Sequence, residues 1–208
     1  GLWQLTAYSN WIDTAYKFND VIVPFPQLNF SNNVNTVDFI VTVPVETTVT
    51  VDTGFGEVNV SGVKGNADAE TDFGDVTIDT LEGALSVQTN SGTVEVTSIK
   101  ASGKDISLNS DFGNITLQKV NANEIVLGTN SGKISLKDVN ATGDLSIKSD
   151  FGDTKYENGS VASLNIESNS GKVELVKVKV KGLIKVDDDF GDIELTQSIA
   201  ASYDLHTN

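Results

Sequence analysis

The sequence contains no cysteine, no methionine and no arginine, and among its 208 residues there are one histidine and three prolines. The lack of cysteine removes any disulfide framework and all thiol chemistry, but it leaves the compartment open, because stacked repeats need no cross-links. With arginine missing, 14 lysines face 29 acidic residues, for a net charge of −15. That field repels phosphate backbones, so nucleic acid is an unsuitable partner, whereas cationic peptides, divalent cations and basic surfaces are favoured. No run approaches the roughly 18 apolar residues of a membrane span, and no signal-peptide pattern follows Gly1.

Aromatic residues and proline are not scarce everywhere. Trp3, Tyr8, Trp11, Tyr16, Phe18, Phe25, Phe30 and Phe39 lie in the first 46 residues, as do Pro24, Pro26 and Pro44. A solenoid needs a terminal element over the exposed core of its first coil, so residues 1–46 read as an aromatic-rich cap of leader strands. Val37, Phe39, Val41 and Val43 alternate with Asp38, Ile40 and Thr42, the pattern of a strand leading into the first coil. Residues 47–208 read as one continuous repeat domain.

The repeat is set by glycine. Gly56, Gly74, Gly92, Gly113, Gly132, Gly152, Gly171 and Gly191 fall 18 to 21 residues apart, the length of a solenoid coil. Seven and five residues before each stand small or apolar side chains, as at Leu85 and Val87 or Ile125 and Leu127. Two and four after it stand another pair, as at Val94 and Val96 or Ile134 and Leu136. Each coil thus carries two short period-two strands meeting at the glycine. A third apolar column falls seven after it, at Val63, Leu81, Ile99, Val120, Val139 and Val178, slipping to Val161 and Ile199 in the other coils. Three inward columns predict three faces. The fold class is therefore all-β, a single-stranded parallel β-solenoid (β-helix), and eight coils at about 4.8 Å each make a rod of roughly 40 Å.

The glycine ends two alternating tetrapeptides. Thr-Asn-Ser-Gly or its equivalent ends at Gly92, Gly132 and Gly171. Asp-Phe-Gly, containing Phe73, Phe112, Phe151 and Phe190, ends at Gly74, Gly113, Gly152 and Gly191. Both read as corners, with a Ser or Thr three before the glycine bonding its own turn and the glycine supplying a conformation other residues resist. Asp-Phe-Gly is also the magnesium-binding tripeptide of protein kinases, but four copies without a phosphate loop or a His-Arg-Asp loop exclude that reading. Interleaving Asn with Asp roughly doubles the spacing of like charges along the stack. Lys133 and Lys172 fall between Asn114, Asp153 and Asp192, which predicts an exposed ladder of alternating charge. Burial at the corner is the preferred reading of the Phe column; the rival is an exposed aromatic stripe.

The run VTVPVETTVTVDTGFGEVNVSGVKGNADAETDFGDVTI, with the later TNSGTVEV, TNSGKISL and SNSGKVEL coils, resembles the Toastrack-type adhesin domains of bacterial envelope proteins. The resemblance covers most of the chain from Val41 on. It implies a non-catalytic β-solenoid on or beyond the cell envelope, extracellular or at the cell surface, linked by name to adhesion and in some relatives to envelope-stress sensing. It brings no catalytic motif.

Three function classes follow. The first is a structural or adhesive surface module whose partners are itself or other cell-surface components. Tyr203, Leu205 and Thr207 keep the register of the earlier columns, and Thr207-Asn208 is a corner cut before its Ser-Gly, so further coils or a neighbouring subunit are expected there. The second is a sensor or binding module capturing cationic peptides or calcium. Asp187, Asp188 and Asp189 form the densest acidic cluster and are the calcium candidates, although they lack an EF-hand or nonapeptide pattern. A carbohydrate-active enzyme is the third, least favoured because its carboxylates would have to converge in a groove, whereas these repeat with the coil. The coil around Thr154, Tyr156 and Gly159 departs most from the pattern and is where such a site would hide. His206, the single histidine, reads as a solvated strand residue. No cofactor and no catalytic residue is expected.

Overall fold

The computed structural model describes Trp3–Ser9, Lys17–Val21, Gln27–Asn32 and Val37–Val41, and then every residue from 43 to 208. All regular structure among these residues is β, in 21 strands. Beyond residue 47 the strands are dealt alternately to two parallel sheets. One has ten strands, from Gln27–Asn32 and Thr48–Phe55 to Ser202–Thr207; the other has eight, from Val58–Val63 to Ile193–Thr196. The fold is the expected parallel β-solenoid.

Register follows the columns. Ile106 lies opposite Leu85 and Ile125 in the larger sheet, and Val94 lies opposite Val76 and Ile115 in the smaller. A slip of one residue would turn every apolar side chain outward, so the columns themselves hold the stacking. Their side chains form one continuous buried core from Val49 to Val186.

The third inward column is reached without a third sheet. Strands such as Ile115–Ala122 and Ile134–Ala141 run on past a bend, placing Val120 and Val139 in the core. The bend falls six residues after the corner glycine, where Thr80, Ser98, Lys119, Asp138, Asn158, Lys177 and Gln197 have φ between 52° and 60°. A left-handed backbone costs an L-residue roughly 1–2 kcal/mol, and in this column only Gly62 escapes it. Three faces are thus formed by two sheets, one of them folded at a strained residue.

Val161 and Ile199 are not slipped copies of that column. Val161 is buried nine residues after Gly152, in line with Ala122, Ala141 and Val180, whereas Ile199 is exposed. The missing position in the first case is Gly159, whose space is taken by the ring of Tyr156.

Coil-to-coil approach explains the corner glycines better than dihedral freedom does. A Cβ at Gly74, Gly92, Gly113, Gly132, Gly152, Gly171 or Gly191 would drive into the carbonyl of the preceding corner glycine. Gly152 and Gly171 have a left-handed φ as well.

In the leader, Trp3–Ser9 is the middle strand of a three-stranded antiparallel sheet between Lys17–Val21 and Val37–Val41. The Val37–Val41 alternation therefore makes a strand, but its partner is Trp3–Ser9. Gln27–Asn32 pairs in parallel with Thr48–Phe55, so the solenoid ladder starts ahead of residue 47. The reading of Trp3, Trp11 and the other leader aromatics as a cap concerns side chains outside the described residues.

Candidate contact surface

The Asp-Phe-Gly corner is built by strand alternation. The residue three before each glycine points inward: Thr71, Thr89, Ser110, Thr129, Ser149, Ser168 and Asp188 are all buried. Several hydroxyls donate to the carbonyl of the preceding corner glycine, Ser110 to Gly92 at 2.9 Å, Thr129 to Gly113 at 3.3 Å and Thr207 to Gly191 at 3.0 Å. The inner corner is thereby filled by small polar groups and close-stacked backbone, which leaves no room for a ring.

The phenylalanines accordingly lie outside. Phe55, Phe73, Phe112, Phe151 and Phe190 are between 49% and 70% exposed, which overturns the expected burial. Backbone register puts them on one line: Phe55 opposite Phe73, then Ser91, Phe112, Ser131, Phe151, Ser170 and Phe190. From Phe73 on, a ring alternates with a serine notch. Phe55 escaped the sequence reading because Gly54 replaces the aspartate of its motif, although its place one before Gly56 marks it. Its ring stacks on Phe73 with centroids 5.2 Å apart and planes 14° from parallel.

Charge borders this ridge on both sides. Asp72, Asp111, Asp150 and Asp189 each precede a ring, and among the described residues none is paired with a lysine. Across the corner runs the alternating ladder. Lys133 pairs with Asp153 at 3.3 Å, Asp153 accepts the backbone N–H of Lys172 at 3.1 Å, and the Lys172 ammonium reaches Glu194 at 2.5 Å. The Lys172 N–H, followed by Lys133, holds the Asp153 carboxyl below its ordinary value. Lys155, between Glu157 at 3.1 Å and Glu174 at 3.3 Å, completes the wall of a shallow cleft over Ser135 and Thr154. Every lysine in that cleft has a carboxylate partner, so it offers an anion little unspent charge.

The three consecutive aspartates do not converge. Alternation turns Asp187 and Asp189 outward and Asp188 into the core, where it is 0% exposed. No group of three or more acidic, histidine or cysteine side chains able to hold a metal occurs among the described residues. Asp188 stands in the hydroxyl column, opposite Ser168 on one side and Thr207 on the other, with neither carboxylate oxygen hydrogen-bonded. Burial pushes its pKa up, and the nearby charges of Asp189 and Asp192 push the same way.

The irregular coil holds core, not a groove. Thr154 and Tyr156 are buried, and the Tyr156 hydroxyl donates to the Val139 carbonyl at 2.7 Å. Desolvation raises its pKa, so it stays protonated. His206 is exposed, opposite Asp187 on the neighbouring strand.

A single-chain parallel β-solenoid with an in-line row of exposed side chains is a repeat scaffold that displays a surface along its length. The chain belongs to the Toastrack DUF4097 family, whose profile matches residues 25–208. The match opens just ahead of Gln27–Asn32, the first strand of the ten-stranded sheet. Comparison with curated proteins gave no match, and comparison with solved structures gave none.

Proposed function

We propose that this solenoid is a non-catalytic contact module of the cell surface, adhesin-like in role, and that it binds through its phenylalanine ridge. The observation that carries this reading is the exposure of five phenylalanines on one edge, in register, over nearly the whole length of the solenoid. An apolar side chain gains about 25 cal/mol for each Å² removed from water. Three intervening corners carry serine at this outward position, so the fold does not require a ring there. Phe55 and Phe73 stack and the other rings continue the same line, and exposed apolar surface of this kind marks interaction sites.

A non-catalytic role agrees with the polar groups. The carboxylates near the ridge recur singly with the coil, and the residues of the irregular coil face inward. Placement on or beyond the envelope rests on the family resemblance, and protease accessibility on intact cells would test it.

The contact reading is tested by retention. Beads carrying the protein should stay on immobilised envelope preparations through washing, and beads carrying the quadruple variant Phe73→Ser, Phe112→Ser, Phe151→Ser, Phe190→Ser should wash off. Equal retention of the two, or retention of neither, contradicts it.

A further inference from the structure

The ridge has a pitch, and the pitch selects an occupant. Phe73, Phe112, Phe151 and Phe190 are separated by two coils each, with Ser91, Ser131 and Ser170 between them. At about 4.8 Å per strand step, successive rings stand roughly 9.6 Å apart. An extended β-strand lying along the ridge would repeat its side chains on one face every ~6.7 Å and fall out of step after one ring. A polyproline II helix has three residues per turn and a rise of about 3.1 Å, so one face recurs every ~9.3 Å. Four rings then match about ten residues of such a helix, with an accumulated error near 1 Å.

The chemistry of the surface agrees with the pitch. Exposed rings separated by small residues form the aromatic-walled notches that proline rings fill, and a helix already fixed in conformation loses little entropy on docking. Asp72, Asp111, Asp150 and Asp189 repeat with the rings and are free of lysine partners among the described residues. On the other flank Lys133 and Lys172 are engaged by Asp153 and Glu194. A cation arriving at every third residue would therefore meet an unspent carboxylate and the face of a ring together, which adds a cation–π attraction to the ion pair. A second copy of this chain is a poor occupant, because each carries a net charge of −15.

We propose that the ridge from Phe73 to Phe190 binds a proline-rich, basic segment of a partner protein, held as a polyproline II helix along the rod. Its prolines lie in the notches at Ser91, Ser131 and Ser170. Its lysine or arginine side chains, one in three, reach Asp72, Asp111, Asp150 and Asp189. This rests on the ridge being the contact surface and adds the identity of what it contacts.

The test uses synthetic peptides and the whole chain. A labelled (Arg-Pro-Pro)5 peptide is titrated with protein and followed by fluorescence anisotropy, alongside a (Pro-Arg)5 peptide of equal charge whose cations fall at every second residue. The three-residue repeat should bind roughly tenfold or more tightly than the two-residue repeat, and more weakly as salt rises. Phe112→Ser with Phe151→Ser, and separately Asp111→Asn with Asp150→Asn, should each weaken it by a similar factor. Serine already occupies this position in intervening coils, so the first variant keeps the fold, and an unchanged melting temperature verifies that. Equal affinity for both peptides, binding untouched by the Phe variant, or binding instead of a neutral β-linked oligosaccharide would overturn the proposal. If no peptide binds while the serine variants still release the beads from envelope, the polyproline assignment fails and the contact reading stands.

Discussion

The hydroxyl of Tyr156 donates to the Val139 carbonyl at 2.7 Å through the space that Gly159 leaves open. Neighbouring coils fill the same volume with Leu136 and Val139, or with Leu175 and Val178. Tyr156 and Gly159 are thus a complementary exchange, one large side chain for two of medium size. Gly159→Val alone should drive its side chain into the ring and cost about 3 kcal/mol, and Tyr156→Leu alone should leave a cavity costing about 2–4 kcal/mol. A Cβ at position 159 also meets the Val139 backbone carbonyl, a clash that shrinking the ring does not remove. Urea melts of the four proteins should therefore show a favourable coupling of roughly 0.5–2 kcal/mol while the double variant stays less stable than the wild type.

Gly132 packs against the carbonyl of Gly113 with no space for a methyl group. Gly132→Ala should cost about 3 kcal/mol, since the methyl group can enter only if the backbone at Gly113 or at residue 132 itself moves. In a stack where each coil contacts its neighbours the damage should fall at one interface. Hydrogen exchange should show protection lost on both sides of residue 132 before it is lost at the ends.

The bend column stores strain that glycine would release. Thr80, at φ 58°, is β-branched and exposed, whereas Asn158, at φ 52°, is of the type that tolerates this region best. Thr80→Gly should raise stability by about 1 kcal/mol in thermal unfolding, and Asn158→Gly by clearly less.

Asp188 makes stability depend on pH in an unusual direction. Its pKa is raised in the fold by burial, with Asp189 and Asp192 adding to the effect. The folded chain therefore holds this proton more tightly than the unfolded one, and stability falls as pH climbs from the ordinary aspartate value through the raised one. Below the ordinary value Asp188 is neutral in both states. Asp188→Ser, which restores the hydroxyl of the other corners, should stabilise the protein at neutral pH and change little near pH 3. Asp153 and Glu194, whose pKa values are lowered by lysine contacts, act in the opposite sense and lose their contribution as pH falls. The comparison of variant with wild type across pH isolates Asp188.

Much of this fold could be read in advance because burial repeats with the coil. Pairs such as Leu85 with Val87 and Val94 with Val96 alternate cleanly, and in-register stacking is the arrangement that buries all such pairs at once. The corner phenylalanines were misread because period-two reasoning ends where the strand turns. Which way Phe112 points is decided by Ser110 filling the inside, a packing fact with no signature in spacing. The bend at Lys119 or Lys177 was hidden for a different reason: most residues that occupy this column, Thr80, Ser98, Lys119, Lys177 and Gln197, do not favour a left-handed backbone, and Gly62, Asp138 and Asn158 are too scattered to mark it as a column. Tyr156 looked like a break in pattern because its compensation, Gly159, is an absence of side chain. The three aspartates at 187–189 looked like a cluster in sequence and are divided by the strand that carries them.

The ridge is the centre of this account, and fluorine NMR reads it directly. With every phenylalanine replaced by 4-fluorophenylalanine, addition of (Arg-Pro-Pro)5 should shift the resonances of Phe73, Phe112, Phe151 and Phe190 in one saturable step. Phe18, Phe25, Phe30 and Phe39 of the leader should stay in place. Shifts confined to the leader rings, or no shift at the four ridge positions at saturating peptide, would contradict it.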